Sequence, residues 1–357
     1  MKHCFAQQFS LLAIACAAWL CSSLPGMAQM LEPSGAAWLI DQPGVYALEE
    51  ALPAVDGQHG IVITASHVTV DLGHHRLKGG VNSGHGIWIA EGVESVEIHN
   101  AHIDSFGGNG IYAQQTEWLH LSGVKVANCS KAGIEAGNYA TILEGSVRGS
   151  GSHGIVTGFG STIAEMKVVG NQGAGVHSGA RCQVLDTFAM NNAKQGIIVG
   201  DGSSMRDVIS SNNADHGIVA GRGSSVIDTV AVSNQNSGIV ASYSSILVNN
   251  NVEMNGKHGI EVRDGSVVDG CVMNDNGQHG LMGGDGLTVR GSSLRSNQNA
   301  GVNFRTGSVL SESTVSNNRY GLFSPTGEIQ VQGTVFSENH NDMYLVGPAE
   351  IQSSTQY

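Results

Sequence analysis

The chain has 357 residues, of which 50 are glycine and only 5% are aromatic, while 41% are hydrophobic. This composition excludes a disordered chain and is typical of short strands joined by many turns. The formal net charge is −13, from 30 acidic and 17 basic residues, and the basic residues form no cluster. We therefore predict that the protein does not bind nucleic acid.

The first 28 residues have the pattern of a secretory signal peptide. Lys2 and His3 precede an apolar segment at residues 11–21, which is too short to cross a bilayer. Small residues stand before the predicted cleavage after Ala28. The sequence thus predicts an exported protein, periplasmic or extracellular, that is not inserted in a membrane once the signal is removed.

A glycine followed by an aliphatic residue recurs through the rest of the chain. From Gly133 to Gly301 every interval is 21 residues. These marker glycines are Gly60, Gly86, Gly110, Gly133, Gly154, Gly175, Gly196, Gly217, Gly238, Gly259, Gly280, Gly301 and Gly321. Four residues before the later markers stand Asn171, Asn192, Asn213, Asn234, Asn255, Asn276, Asn297 and, in the final repeat, Asn317.

A constant period in which each residue type keeps its phase predicts one coil per repeat, with coils stacked about 4.8 Å apart. We expect an all-β solenoid of about 13 such coils over residues 29–345, followed by a C-terminal tail at residues 346–357. Aliphatic residues one and nine positions after each marker should fill a narrow, three-sided interior. The asparagines should form a hydrogen-bonded ladder, and the glycines should supply left-handed turns.

The N-x-x-x-G-I repeats resemble those of right-handed parallel β-helix proteins of the pectate-lyase-like superfamily, including its periplasmic NosD-type members. Residues 43–46 and 61–73 look like the usual N-terminal part of such helices. The resemblance implies a right-handed parallel β-helix that acts on polysaccharide, with lyase-like chemistry on a uronate-containing glycan as the leading hypothesis. The superfamily also holds non-catalytic modules, so a rod that only binds glycan or protein is the alternative. The Asp-Pro-His-Asp motif of mannuronan epimerases is absent.

Charged residues are densest in the three repeats that begin at residues 259, 280 and 301. Since residues of equal phase lie in neighbouring coils, these side chains should gather at one end of the strands. They are Glu261, Arg263, Asp264, Asp285 and Arg305, with Asn303 alongside. Arg305 and Asn303 are predicted to bind substrate.

A lyase needs a base that takes the proton beside a uronate carboxylate, and a cation that stabilises the charge that develops. We predict Arg263 or Lys257 as the base and Asp264 and Asp285 as ligands of a Ca²⁺ ion. A hydrolase would instead use Glu261 and Asp285 as its carboxylate pair. The remaining alternative is a set of surface ion pairs with little energetic weight. No organic cofactor is expected.

A histidine stands directly before the marker glycine in six repeats. They are His59, His85, His153, His216, His258 and His279. His258 and His279 fall in adjacent coils and could transfer protons or hold a metal ion. Alternatively, each is a turn residue whose imidazole bonds a backbone carbonyl.

The second residue after each marker should point outward from the strand. In this column Trp88 and Tyr112 are predicted to stack on sugar rings. Ile198, Val219 and Val240 form an apolar strip that a loop, the tail or a protein partner should cover.

The mature chain keeps Cys129, Cys182 and Cys271, which lie at different phases of the repeat. Their Cα atoms should therefore be too far apart for disulfides, and we predict three free thiols.

Overall fold

Each repeat folds into one coil of short strands, and parallel pairing between coils builds two sheets that run along the molecule. The computed structural model describes residues 29, 30, 37–55, 57–352 and 354–356. Strands and turns, without a helix, make up this part of the chain, and no helix in it is long and apolar enough to cross a membrane. The predicted parallel β-solenoid is confirmed, while the predicted signal peptide lies outside the described residues.

Sheet 1 contains 15 strands, most of which begin directly after a marker glycine. They are Trp38–Ile40, Ile61–Ile63, Ile87–Ile89, Ile111–Ala113, Ile134–Ala136, Ile155–Thr157, Val176–Ser178, Ile197–Val199, Ile218–Ala220, Ile239–Ala241, Ile260–Val262, Leu281–Gly283, Ala300–Asn303, Tyr320–Ser324 and Asn341–Leu345. The solenoid therefore has about 15 coils, slightly more than the predicted number, because Trp38–Ile40 and Asn341–Leu345 form strands without a marker.

Sheet 2 contains 28 strands in two adjoining rows. The first row comprises Gln29–Met30, Gly44–Ala47, Val68–Asp71, Glu94–His99, Gln183–Leu185, Ser204–Arg206, Ser225–Ile227, Ile246–Val248, Val267–Asp269, Thr288–Arg290, Ser308–Ser311, Ile329–Gln332 and Ala349–Gln352. The second row comprises Leu52–Val55, Arg76–Gly79, His102–Asp104, Phe188–Met190, Ile209–Ser211, Val230–Val232, Asn251–Glu253, Val272–Asn274, Ser293–Arg295, Thr314–Ser316, Val335–Ser337 and Thr355–Gln356. Three longer strands, Glu117–Ala127, Thr141–Arg148 and Thr162–Val169, pair with both rows.

The interior consists of ladders of like aliphatic residues. Ile197, Ile218 and Ile239 lie opposite one another in successive strands of sheet 1, and Met205 and Val226 do the same in sheet 2. All five side chains are fully buried. Strand alternation therefore places the predicted columns inside, where stacked β-branched residues fill the narrow core.

The buried asparagines form a continuous ladder, as predicted. The Asn213 side-chain amide donates to Asn234 Oδ1 at 3.0 Å and to the Ala189 carbonyl at 3.1 Å, so it links three coils. At the C-terminal end the ladder continues through Asn318 and not through the predicted Asn317. The last repeat is one residue shorter, and that deletion lies between Asn318 and the marker glycine.

The marker glycines serve close packing and not left-handed turns, contrary to the prediction. None of them has a positive φ. A Cβ added to Gly217 would lie 2.5 Å from the Gly238 carbonyl oxygen of the next coil and 2.6 Å from the Asn234 side-chain nitrogen. Successive coils thus approach too closely for any side chain at this position.

The solenoid continues past the predicted boundary at residue 345. Ala349–Gln352 pairs with Ile329–Gln332, and Thr355–Gln356 pairs with Val335–Ser337. The predicted tail therefore extends sheet 2 and does not fold back over the apolar strip on sheet 1.

The three cysteines of the described residues are free and buried. Burial raises the pKa of the Cys129 thiol to about 11, so this thiol stays protonated at neutral pH.

Candidate functional site

The outer face of sheet 1 carries the residues with chemical potential. Its strands are three residues long in most coils, and the middle side chain of each points outward between two buried neighbours. Histidines lie at the edge of this face where the strands begin. A corner that leads into sheet 2 forms the opposite edge, where the strands end.

The predicted charged cluster assembles at this corner. One depression of about 140 Å³ is lined by Glu261, Arg263, Asp264, Asp285 and Arg305, together with Tyr243 and Met282. None of these charged groups forms an ion pair in the described part of the chain, where the ion pairs lie elsewhere. The alternative of a mutually neutralised surface network is therefore not what the structure shows, and the charges are free to meet a ligand.

Other predicted residues lie at the opposite end of the same strands. Lys257 and His258 precede the strand Ile260–Val262, whereas Arg263 follows it. Asn303 occupies the outward position two coils further on, 3.3 Å from His279 Nε2. Sheet 1 thus separates Lys257, His258 and His279 from the depression that holds the arginines.

The predicted calcium ligands are partly committed to the backbone. Asp264 Oδ1 accepts the Asp285 backbone N–H at 2.9 Å, which leaves few free oxygens for an ion that takes six to eight. Among the described residues, no three His, Cys, Asp or Glu side chains are grouped as a metal site requires. The calcium site stays a prediction, and no step below depends on it.

The histidine column holds the coils together through backbone N–H groups and not through carbonyls. His85 Nδ1 accepts the Asn109 N–H at 3.0 Å, and His279 Nδ1 accepts the Ala300 N–H at 3.2 Å. Nδ1 is therefore unprotonated and Nε2 carries the hydrogen of the neutral ring. Burial, and the charge of the neighbouring histidine, lower the pKa of both His85 and His279 to about 4. Such rings can donate from Nε2, but their acceptor nitrogen is already used.

This arrangement predicts a loss of stability in mild acid. Above about pH 6.5 the two histidines are neutral in both folded and unfolded chains, so they add no pH dependence. Between pH 6.5 and pH 4 the unfolded chain takes up protons that the folded chain refuses, and stability should fall as the pH falls. Thermal unfolding followed at pH 7 and pH 4.5 checks this.

A matched variant exists, because Asn109 already fills the same position in another coil and its Oδ1 accepts the Ala132 N–H at 3.2 Å. The double variant His85→Asn/His279→Asn keeps an acceptor that does not titrate. We expect a smaller drop in Tm between the two pH values than in the wild type. An unchanged drop would contradict the role assigned to these rings.

Trp88 and Tyr112 lie on sheet 1 but far from the charged cluster. Each already stacks on a histidine: Trp88 on His59 with ring centroids 5.6 Å apart, and Tyr112 on His85 at 4.7 Å. Seven coils separate the Tyr112 coil from that of Arg263, about 34 Å along the axis. Their predicted role in sugar binding is therefore that of a separate surface, with one face of each ring already covered.

A second depression, which the sequence reasoning missed, lies between these regions. It measures about 330 Å³ and is lined by Asn109, Lys131, Ala132, Glu135, Ser152, His153, Val156 and His177. Asn109 donates to Glu135 Oε2 at 2.6 Å, and the His153 and His177 rings meet edge to face with centroids 5.4 Å apart. Glu135 and His177 share the outward phase, so their column was visible, but Lys131 sits in a coil whose length departs from 21 residues.

The apolar strip is present as predicted. Ile198, Val219 and Val240 lie opposite one another in register and are partly exposed. The C-terminal strands pair in sheet 2, so the tail does not cover the strip.

Comparisons with known proteins identify the fold. Three solved structures are similar over most of their length. The A-module of the Azotobacter vinelandii mannuronan C-5 epimerase AlgE6 is 12% identical, covers 91% of this chain and 92% of its own, and has a TM-score of 0.45. The lidless DFA-IIIase from Arthrobacter chlorophenolicus A6 is 14% identical, with 96% and 94% covered and a TM-score of 0.41. A mutant tailspike protein of E. coli bacteriophage HK620, in complex with a hexasaccharide, is 11% identical, with 89% and 71% covered and a TM-score of 0.46.

A search of curated protein sequences finds no significant match. The family model described as the right handed beta helix region matches residues 55–189, 85–229 and 189–336. These segments together span most of the chain and coincide with the stacked coils. The chain therefore belongs to the right-handed β-helix family.

Proposed function

We propose that the protein binds an acidic, uronate-containing polysaccharide on the outer face of sheet 1, with Arg263 and Arg305 as the carboxylate-binding groups. The observation that carries this proposal is that both arginines line one depression without an ion pair to Glu261, Asp264 or Asp285. A guanidinium group binds a carboxylate with two parallel hydrogen bonds, and this geometry suits uronates.

The overall charge makes a local cationic site necessary for such a ligand. At a net charge of −13 the protein repels acidic polymers at long range. Two exposed arginines in adjacent coils supply the opposite charge at one place, and Arg222 adds a third cation near them, 5.4 Å above the Tyr243 ring. Binding should accordingly weaken as salt is added.

The test replaces both arginines and measures binding to polygalacturonate and alginate by calorimetry. Arg263→Ala/Arg305→Ala should bind at least about tenfold more weakly, since charge-assisted hydrogen bonds contribute about 1.5–3 kcal/mol. The control is Arg206→Ala/Arg295→Ala, which removes the same charge from exposed positions on sheet 2. An equal loss in both double variants, or no wild-type binding to any acidic glycan, would contradict the proposal.

Cleavage of the bound polymer by β-elimination is the second candidate function. It is favoured by the same depression, where Arg305 can neutralise a uronate carboxylate beside Arg263, the predicted base. A rise in absorbance at 232 nm on mixing with uronate polymers, absent in Arg263→Ala, would support a lyase. No rise across a broad panel, together with retained binding, would favour a non-catalytic module.

Export to the periplasm or the extracellular space is part of the proposal and rests on the signal-like residues 1–28. N-terminal sequencing of the mature protein tests it, with residue 29 expected first.

A further inference from the structure

An exposed stack of aromatic rings lies on the corner between sheet 1 and sheet 2. Trp118, Tyr139 and Phe159 come from three successive coils and are 57%, 37% and 36% exposed. The Trp118 and Tyr139 rings are stacked at a centroid distance of 4.9 Å with 12° between their planes. Phe159 meets Tyr139 edge to face at 5.8 Å, and the Arg181 guanidinium lies 5.5 Å from the Phe159 ring centre. We name these three aromatic residues the corner platform.

The backbone under the corner platform is held in an unfavourable conformation. Trp118 and Tyr139 have φ values of 58° and 55°, in the left-handed region that bulky residues rarely adopt. In later coils the same position is occupied mostly by glycine with positive φ: Gly160, Gly202, Gly223, Gly265, Gly286 and Gly307. Two large aromatic residues therefore replace the residue that this corner favours.

Packing does not account for this substitution. More than half of the Trp118 side chain is exposed, and within the described part of the chain its ring contacts only Tyr139. Its indole N–H has no hydrogen-bond partner there. Strained residues that gain no burial are typical of functional surfaces, and a flat aromatic face with a polar edge suits a ligand that has both an apolar face and hydroxyl groups.

We propose that the corner platform stacks on sugar rings of a polysaccharide. For the class of ligand, this inference rests on the proposed function. The platform and the charged cluster lie on the same corner, since Phe159 and Asp264 occupy equivalent positions five residues after their markers. The seven coils between the Trp118 and Arg263 coils amount to about 34 Å. A polymer that follows the corner therefore reaches both sites, whereas a trisaccharide reaches only one.

The platform can be removed without harm to the fold, because glycine is the residue that other coils use there. In the double variant Trp118→Gly/Tyr139→Gly we expect about tenfold weaker binding of long uronate polymers, as loss of an aromatic stacking partner produces in other systems. Binding of a uronate trisaccharide at the arginines should be unchanged. Phe188→Ala removes a similarly exposed ring, 44% exposed, from sheet 2 and should change neither.

Fluorescence gives a second readout that does not depend on affinity. Trp38 is buried, so polymer binding should alter mainly the emission of Trp118, and Trp118→Gly should abolish most of that change. Unchanged polymer affinity in the double variant, with trisaccharide binding intact, would overturn the platform alone. A wild-type dimer that the double variant dissolves would assign the surface to a second copy and also overturn it. Loss of all glycan binding in the wild type would overturn the proposed function together with the platform.

Discussion

Replacing Asn234 with alanine is expected to lower the free energy of unfolding by about 2 to 5 kcal/mol, from one or two buried polar groups left without partners at about 1–3 kcal/mol each. Asn234 Oδ1 accepts both the backbone N–H and the side-chain amide of Asn213, at 3.1 and 3.0 Å. Its own amide donates to the Ser210 carbonyl at 3.1 Å and to Asn255 Oδ1 at 3.0 Å. The side chain is almost completely buried, so water cannot replace these bonds.

Gln235→Ala is the matched control, because the neighbouring side chain is exposed and makes no hydrogen bond in the described structure. Its effect should stay within about 0.5 kcal/mol, as for other surface substitutions. Guanidinium unfolding followed by circular dichroism compares the two. Because coils contact only their neighbours, a limited proteolysis experiment should also show earlier cleavage around residue 234 in the ladder variant. Equal midpoints for both variants would contradict the energetic role of the ladder.

The repeat period predicted the parts of the fold that depend on equal phase. Interior positions such as Ile218 and Val226, and the ladder through Asn213 and Asn234, follow from stacking of identical coils. Asn317 shows where this reasoning ends. It keeps its distance to the marker but loses its place in the ladder, because one deleted residue shifts the turn while hydrogen bonding keeps Asn318 in register.

Prediction of the site was limited by the same cause. Glu261, Arg263 and Asp285 could be grouped because their coils are regular. Trp118 and Tyr139 could not, since they stand eight and six residues after their markers, in coils whose spacing had not yet settled at 21. Phase also says nothing about which charges pair or which imidazole nitrogen is occupied, because those depend on side-chain rotamers.

Gly217→Ala should cost about 3 kcal/mol or more, a large value for a single methyl group, because the added carbon has no space. Its Cβ would lie 2.5 Å from the backbone oxygen of Gly238 and 2.6 Å from the ladder amide of Asn234. Neither neighbour can move freely, since the carbonyl accepts the Ile218 N–H at 2.9 Å and the amide is held by the ladder. The coils must therefore separate locally, which also stretches the hydrogen bonds of both sheets.

Gly223→Ala distinguishes this mechanism from conformational preference. Gly223 has a φ of +65° and no atom within 4 Å of an added Cβ, so its replacement costs only left-handed strain, about 1 kcal/mol. Both variants add the same methyl group in neighbouring parts of one coil, and thermal unfolding compares them directly. If the marker glycines were required for their backbone freedom, Gly223→Ala would be the more damaging change. The close approach of the coils predicts the opposite order.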